Sequence, residues 1–217
     1  MKCCIIGESG VGKTTLITSY FNQCFKKNET TLGALYTSLN FFDNTDNSID
    51  ENTKHKQILQ IWDTAGQERY RSLLPLYTRN SDIIILVFNV NNFNSINYLS
   101  NFIIKNNASI NSNQLRPLYF LVGTHIDLIN SDLKYIFDKN CDYNNLDEIL
   151  KENINSLNYF LVSGRTLQNL NNLFDRIKSI CRNIFKINEN EKNKINNIIL
   201  NDVNDNNNLK NYYCCNK

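Results

Sequence analysis

No apolar run of this chain approaches the ~20 residues needed to span a bilayer, and no charge of one sign dominates its 217 residues, whose formal net charge is +2. The first absence excludes a membrane-spanning helix, and the second leaves no global basic surface for nucleic acid. The apolar part of Met1-Lys2-Cys3-Cys4-Ile5-Ile6-Gly7 is too short for a secretory signal. Position 2 lacks the glycine that myristoylation requires. No C-x-x-C pair occurs among the seven cysteines, and both histidines, His55 and His125, lie far from any cysteine cluster. An odd cysteine count without metal-ligand spacing argues against structural zinc and a disulfide framework, and for a reducing, cytosolic compartment.

Asparagine is abundant: about 40 of the 217 residues, far above usual usage. Lys and Ile rise with it, which suits an AT-rich coding sequence, so a single Asn carries little meaning. Strands are expected at Lys2–Ile6, Leu35–Phe42, Lys56–Trp62, Asp82–Asn89, Leu118–Gly123 and Tyr159–Val162. Ile83-Ile84-Ile85-Leu86-Val87-Phe88 is apolar without alternation, the pattern of a strand buried on both faces. Lys13–Gln23 reads as a helix, and Ile96, Leu99, Phe102 and Ile103 mark a second. Leu167, Leu170, Leu173, Phe174, Ile177, Ile180, Cys181 and Ile184 mark a long final helix. The second and third strands suggest a hairpin whose loop, Asp43–His55, is polar and long. Asp132–Asn153 is polar with helical pieces. Strand alternating with helix implies an α/β fold: a mostly parallel six-stranded sheet with helices on both faces. The expected domain covers residues 1–185. Residues 186–217 read as a polar tail with one apolar patch at Ile195, Ile198, Ile199 and Leu200.

Chemistry-bearing residues all follow strand ends, where ligands of parallel sheets bind. Gly7-Glu8-Ser9-Gly10-Val11-Gly12-Lys13-Thr14 fits G-x-x-x-x-G-K-[ST] between a strand and a helix. Backbone N–H groups from Glu8 to Thr15 are positioned to face phosphates, Lys13 to neutralise them, and the Thr14 hydroxyl to meet Mg²⁺. The alternative is a Gly-rich turn without ligand. Asp63-Thr64-Ala65-Gly66-Gln67 follows the third strand. Asp63 suits the Mg²⁺ shell, Gly66 a terminal phosphate, and Gln67 the orientation of an attacking water. A plain strand-end acid and a solvated loop glutamine are the structural alternatives. In Thr30-Thr31-Leu32-Gly33, Thr31 is the preferred second Mg²⁺ hydroxyl, although its neighbour Thr30 is chemically equivalent.

Gly123-Thr124-His125-Ile126-Asp127 places a carboxylate, Asp127, where it can accept from guanine N1 and the exocyclic amine. His125 is a candidate to stack on the base, and Ser163-Gly164-Arg165 a candidate to present the Gly164 N–H to guanine O6. Simple strand-end turns are the alternatives here. Cys214-Cys215, two residues from the end, reads as a lipidation site rather than a pair of functionless thiols. The tail holds five lysines against four carboxylates, so no polybasic patch assists a single lipid chain. Two chains, one per cysteine, supply stable anchoring.

Together these motifs resemble the Ras superfamily and, within it, the Rab family of small GTPases, over about residues 2–184. Trp62-Asp63-Thr64-Ala65-Gly66-Gln67-Glu68-Arg69-Tyr70 is the most Rab-like run. Thr31-Leu32-Gly33-Ala34 and Leu73-Leu74-Pro75-Leu76-Tyr77 resemble the endosomal branch. The resemblance implies a P-loop NTPase small-GTPase fold and a GTP/GDP switch using Mg²⁺. It implies an effector-reading surface at Tyr36, Trp62 and Tyr77, an exchange factor, and a GTPase-activating protein. It further implies prenylation and extraction chaperones, and residence on the cytoplasmic face of vesicle or endosome membranes with a soluble cytosolic pool.

Three departures stand out against that family. His125 replaces the lysine that precedes the base-reading carboxylate, Ser163-Gly164-Arg165 replaces Ser-Ala-Lys, and the segment Phe25–Thr31 is about one residue short. The loop over 43–54 reads as an insertion, and no extension precedes the first strand. Guanine specificity is expected to survive through Asp127 with weaker affinity. Without an arginine finger in cis, intrinsic turnover is expected at roughly 10⁻⁴–10⁻² s⁻¹. The departures keep open a nucleotide-binding pseudo-GTPase that acts only as a binding module. An ATP-using P-loop enzyme is disfavoured by Asp127 and the 63–67 run.

Overall fold

The computed structural model describes residues 1–41, 57–92, 94–109, 116–129 and 148–186. Six strands, β1 (Lys2–Ile6), β2 (Ala34–Asn40), β3 (Ile58–Thr64), β4 (Ile83–Asn89), β5 (Leu118–Thr124) and β6 (Tyr159–Leu161), form one sheet of order β2-β3-β1-β4-β5-β6. Only β2 runs antiparallel to its neighbour, pairing Ala34 with Thr64 through Asn40 with Ile58. The remaining pairs are parallel, as crossover helices require. The helices are α1 (Lys13–Asn22), the five-residue α2 (Leu74–Thr78), α3 (Asn94–Ala108), α4 (Glu148–Asn153) and α5 over 170–186.

The non-alternating strands bury both faces. Cys3 and Ile5 of β1 and Ile83, Ile85 and Val87 of β4 join one core with Leu16 and Ile17 of α1 and Leu173, Phe174 and Ile177 of α5. Cys4, Ile6, Ile84, Leu86 and Phe88 join the opposite core with Ile96, Leu99 and Ile103 of α3. This period of two within one strand is what sends neighbouring residues to different layers. Among the described residues, no helix is long and apolar enough to cross a membrane.

The structure moves several element boundaries by one to three residues, and four elements show why. β3 continues past Trp62 to Thr64, because Thr64 still pairs with Ala34 and its hydroxyl donates to the Ile5 carbonyl at 2.6 Å. β2 begins at Ala34 and ends at Asn40, though the Phe41 N–H still donates to the Gln57 carbonyl at 3.2 Å. α1 stops at Asn22 because Gln23 turns left-handed, with φ 52. The final helix starts at residue 170, not at Leu167: Leu167 and Asn169 have φ of 65 and 61, which no right-handed helix admits. Leu167 keeps its place against the core nonetheless. The long hairpin loop, most of 132–153 and the tail with Cys214 and Cys215 lie outside the described residues.

Candidate functional site

The loop from Gly7 to Gly12 leaves β1 and enters α1, and its curl is set by glycine. Gly12 sits at φ 92, a left-handed conformation that a Cβ would strain, and a Cβ there would also come within 3.3 Å of His125 Cε1. The loop, the N-terminus of α1, the 25–31 segment and the ends of β3, β5 and β6 enclose one cavity of about 530 Å³. Ser9, Gly10, Gly12, Lys13, Thr14 and Thr15 line its floor. Thr31, Gly66, Thr124, His125, Asp127, Gly164 and Arg165 line the walls. Glu8, Val11, Asp63, Ser163 and Gln67 do not themselves line the cavity, though each adjoins in sequence a residue that does.

Lys13 is buried, and its ammonium donates to the carbonyls of Gly7 at 2.9 Å and Glu8 at 2.7 Å. An ammonium carries three N–H bonds, so one remains for an anion in the cavity. Burial lowers its pKa to about 8, with Asp63 and Glu8 opposing the shift. An anionic ligand would favour the charged form by the same Coulombic route. Gly66 lies directly against this group: a Cβ there would overlap both the Glu8 carbonyl and Lys13 Nζ. The chain can bring its backbone to the phosphate loop at position 66 only without a side chain.

Asp63 and two threonines form the second cluster. The Thr14 hydroxyl donates to Asp63 Oδ2 at 2.6 Å and lies 2.7 Å from Thr31 Oγ1. Thr14 has one proton and the carboxylate only accepts, so Thr31 donates to Thr14. Of the two neighbouring threonines, Thr31 is the one whose hydroxyl meets this cluster. Asp63 Oδ1 is buried with no hydrogen-bond partner among the described residues. Burial raises the Asp63 pKa, while the Thr14 bond and Lys13 act the other way. A buried carboxylate oxygen left over beside two hydroxyls is a donor set that fits a hard divalent cation. The Ala65 N–H donates to the Gly33 carbonyl at 2.7 Å, which ties the segment holding Thr31 to the one holding Gly66.

At the other end of the cavity, Thr124 is the linchpin. Its hydroxyl contacts the Val11 carbonyl at 2.6 Å, the Phe88 carbonyl at 3.0 Å and His125 Nδ1 at 2.9 Å. Carbonyls only accept, so the hydroxyl proton is committed to them and His125 donates from Nδ1. That assignment leaves Nε2 as an acceptor in the neutral ring. His125 itself has φ 64, and Asn91 Nδ2 donates to its carbonyl at 3.1 Å. Burial lowers the His125 pKa, with Asp127 opposing. Asp127 Oδ1 accepts from the Ser163 hydroxyl at 2.7 Å, and Ser163 Oγ in turn accepts the N–H groups of Arg165 and Thr166 at 3.1 and 3.0 Å. Ser163 therefore positions the carboxylate and shapes the 163–166 turn at once. Gly164 abuts Thr15, whose methyl would lie 2.9 Å from a Cβ at position 164.

Sequence reasoning missed Asn28, whose amide donates to Thr15 Oγ1 at 3.2 Å and Thr18 Oγ1 at 3.0 Å and so holds the 25–31 segment to α1. No single-sequence signal distinguishes it among so many asparagines. Phe25 and Leu128 also line the cavity. On the outer face, Tyr36 and Trp62 pair across β2 and β3 with ring centroids 5.5 Å apart, and Trp62 and Tyr77 lie 6.2 Å apart. The three aromatics are one cluster, with Tyr36 54% exposed.

Comparison with known proteins agrees with this geometry. The family model described as "Ras family" matches residues 2–183. The Ypt/Rab-type GTPase ypt71 of Schizosaccharomyces pombe is 28% identical over 182 residues, covering 83% of this chain and 81% of that protein. The Ras-related protein Rab7 of Pisum sativum is 34% identical over 149 residues, 64% of each chain. The Ras-related protein RABG3b of Arabidopsis thaliana is 33% identical over 143 residues, 64% of this chain and 65% of that one. The chain belongs to the Ras family and, within it, is a Rab-type small GTPase, which binds GTP and GDP and hydrolyses GTP to GDP and phosphate.

Proposed function

We propose that this GTPase is a timed switch of endosomal vesicle traffic that recruits effectors in its GTP state. The observation that carries the reading is the hydrogen-bonded set Thr31–Thr14–Asp63 lying against Gly66 and Lys13. Both segments that would sense a γ-phosphate, one ending at Thr31 and one at Gly66, converge there. Thr14, Thr31 and Asp63 would hold Mg²⁺, which supplies charge neutralisation between the terminal phosphates. Lys13 and the N–H groups of residues 8–15 bind the phosphates, and Gly66 closes over the last of them. Gln67 orients the attacking water. Asp127, held by Ser163, reads the guanine edge, assisted by Thr124, His125, Gly164 and Arg165.

Loss of the γ-phosphate removes the contact that Thr31 and Gly66 share, which releases both segments. Tyr36, Trp62 and Tyr77 flank these segments and form the surface that effectors read. The endosomal assignment draws on the runs 31–34 and 73–77 and on the similarity to a protein named Rab7. Lipid chains on Cys214 and Cys215 would hold the switch to the cytoplasmic face of that membrane. An exchange factor, an activating protein and prenylation and extraction chaperones complete the cycle.

The test is identification of the nucleotide carried by the purified full chain, followed by single-turnover phosphate release from GTP. GDP or GTP in the chromatogram and slow release that Mg²⁺ chelation abolishes are expected. ATP in the chromatogram, or GTP bound without any phosphate release even with an activating partner, would refute the switch. Loss of endosomal localisation on replacing both Cys214 and Cys215 by Ser tests the anchor.

A further inference from the structure

On the face opposite the nucleotide end, α2, α3 and the start of β5 border a second groove of about 1150 Å³ that reaches Ile184 of α5. Its apolar surface includes Leu74, Phe102, Leu118 and Ile184. Four cations line it: Arg71, Arg79, Lys105 and Arg116. Arg71 lies over the Tyr98 ring at 5.0 Å. Among the described residues, Arg79, Lys105 and Arg116 form no ion pair. Asp82, the one carboxylate among the described residues that line the groove, accepts the Lys2 backbone N–H at 2.7 Å. Apolar surface rimmed by unneutralised cations calls for an occupant that is apolar and acidic. The connection over 110–115, whose flanking residues Ser109 and Arg116 both line the groove, carries no charged residue and cannot supply that charge.

We propose that the groove receives this chain's own segment from Ile195 to Asp205. Ile195, Ile198 and Ile199 recur at the i, i+3, i+4 spacing that makes one apolar helical face. Asp202 and Asp205 follow, and no Lys or Arg occurs between positions 195 and 205. The segment is therefore the apolar, acidic complement of the groove, in the mode of an amphipathic helix laid in a cationic cleft. The described chain leaves α5 at Lys186, beside the groove's own Ile184. Nine residues to Ile195 reach up to ~30 Å when extended, beyond the length of roughly 22 Å that 15-residue α3 presents. A tether this short holds the segment at millimolar effective concentration, so a weak contact suffices. The contact would keep Cys214 and Cys215 near the base of α3 and α5 rather than free at the end of a full-length tail. It adds to the switch reading without depending on it.

Hydrogen exchange on the full chain tests this. The peptide covering 195–200 should exchange about tenfold or more slowly than an unstructured peptide of the same sequence, independent of protein concentration. Arg79→Glu with Arg116→Glu should abolish that protection while leaving GDP release unchanged, and adding Asp202→Lys with Asp205→Lys should restore it. Exchange of 195–200 at the free-peptide rate, or protection that survives the double charge reversal, overturns the proposal. Protection that appears only at high concentration overturns it in favour of a second copy, and protection that needs added anionic vesicles overturns it in favour of a lipid surface.

Discussion

Thr124 offers the most direct test of how the two ends of the nucleotide site are joined. The residue is 4% exposed, and its hydroxyl serves the Val11 carbonyl, the Phe88 carbonyl and His125 Nδ1. Thr124→Val keeps the shape and removes all three contacts. A buried carbonyl stripped of its donor costs about 1–3 kcal/mol. The His125 ring recovers part of its loss from water, because it is only half-buried. The two carbonyls share one hydroxyl proton, so about one such loss plus part of the His125 bond sums to about 2–3 kcal/mol. At roughly 2–4 °C per kcal/mol for a domain of this size, the melting midpoint should fall by about 4–12 °C. Val11 belongs to the phosphate loop, so the damage should also reach the ligand. If half of the loss falls on the bound state, GDP should leave about tenfold faster. Thermal melting with GDP bound and release of a fluorescent GDP analogue read the two effects separately. Thr124→Ser restores the hydroxyl and should recover most of both. A Thr124→Val protein that melts within about 1 °C of the parent and releases GDP at the parental rate would refute the view that this hydroxyl couples the β5 end to the phosphate loop.

Gln67→Leu should leave GTP binding intact and lower partner-stimulated hydrolysis by at least about 10²-fold; unchanged single-turnover rates would remove Gln67 from the reaction. His125 titrates below its ordinary value of 6.5 because it is buried, with Asp127 opposing. Its contribution to stability is therefore complete above 6.5 and is lost as the pH falls through that value toward the depressed one, as the unfolded chain takes up the proton first. Melting curves should fall more steeply below pH 6.5 for the parent than for His125→Gln, and equal slopes would dismiss the imidazole as the cause. Burial pushes the thiols of Cys3 and Cys4 up and that of Cys181 to about 12, whereas Cys24 is exposed. Of these four, mild alkylation followed by peptide mapping should mark Cys24 first and reach Cys3, Cys4 and Cys181 only after denaturation. Early modification of Cys181 would contradict its burial.

The two-sided strands were legible because an unbroken apolar run as short and as rich in β-branched residues as Ile83 to Phe88 suits a doubly covered strand better than a buried helix. The gathering of the Gly7–Thr14 loop, Asp63 and Asp127 around one cavity was legible because each stands at the end of a parallel strand. Boundaries were less so. The end of β3 depends on β2 pairing as far as Ala34, a long-range contact with no local signal. The late start of α5 depends on left-handed residues at Leu167 and Asn169, where neither glycine nor proline warns of the turn. Asn28 and the links from Thr124 to Val11 and from Ser163 to Asp127 were illegible for a different reason. They are hydrogen bonds between segments, and identity alone does not say which side chains meet.

β3 carries one more consequence. Asp63 reaches toward Thr14 on α1, while Trp62, one residue before it, packs with the opposite core and the outer aromatics. Adjacent residues of a strand face opposite ways, so the proposed cation ligand and the proposed recognition surface are two ends of one lever, joined by a single peptide bond. A partner gripping Trp62 also grips Asp63. On the proposed reading, a molecule that binds the outer face would gain some control over how fast the nucleotide departs without approaching the cavity.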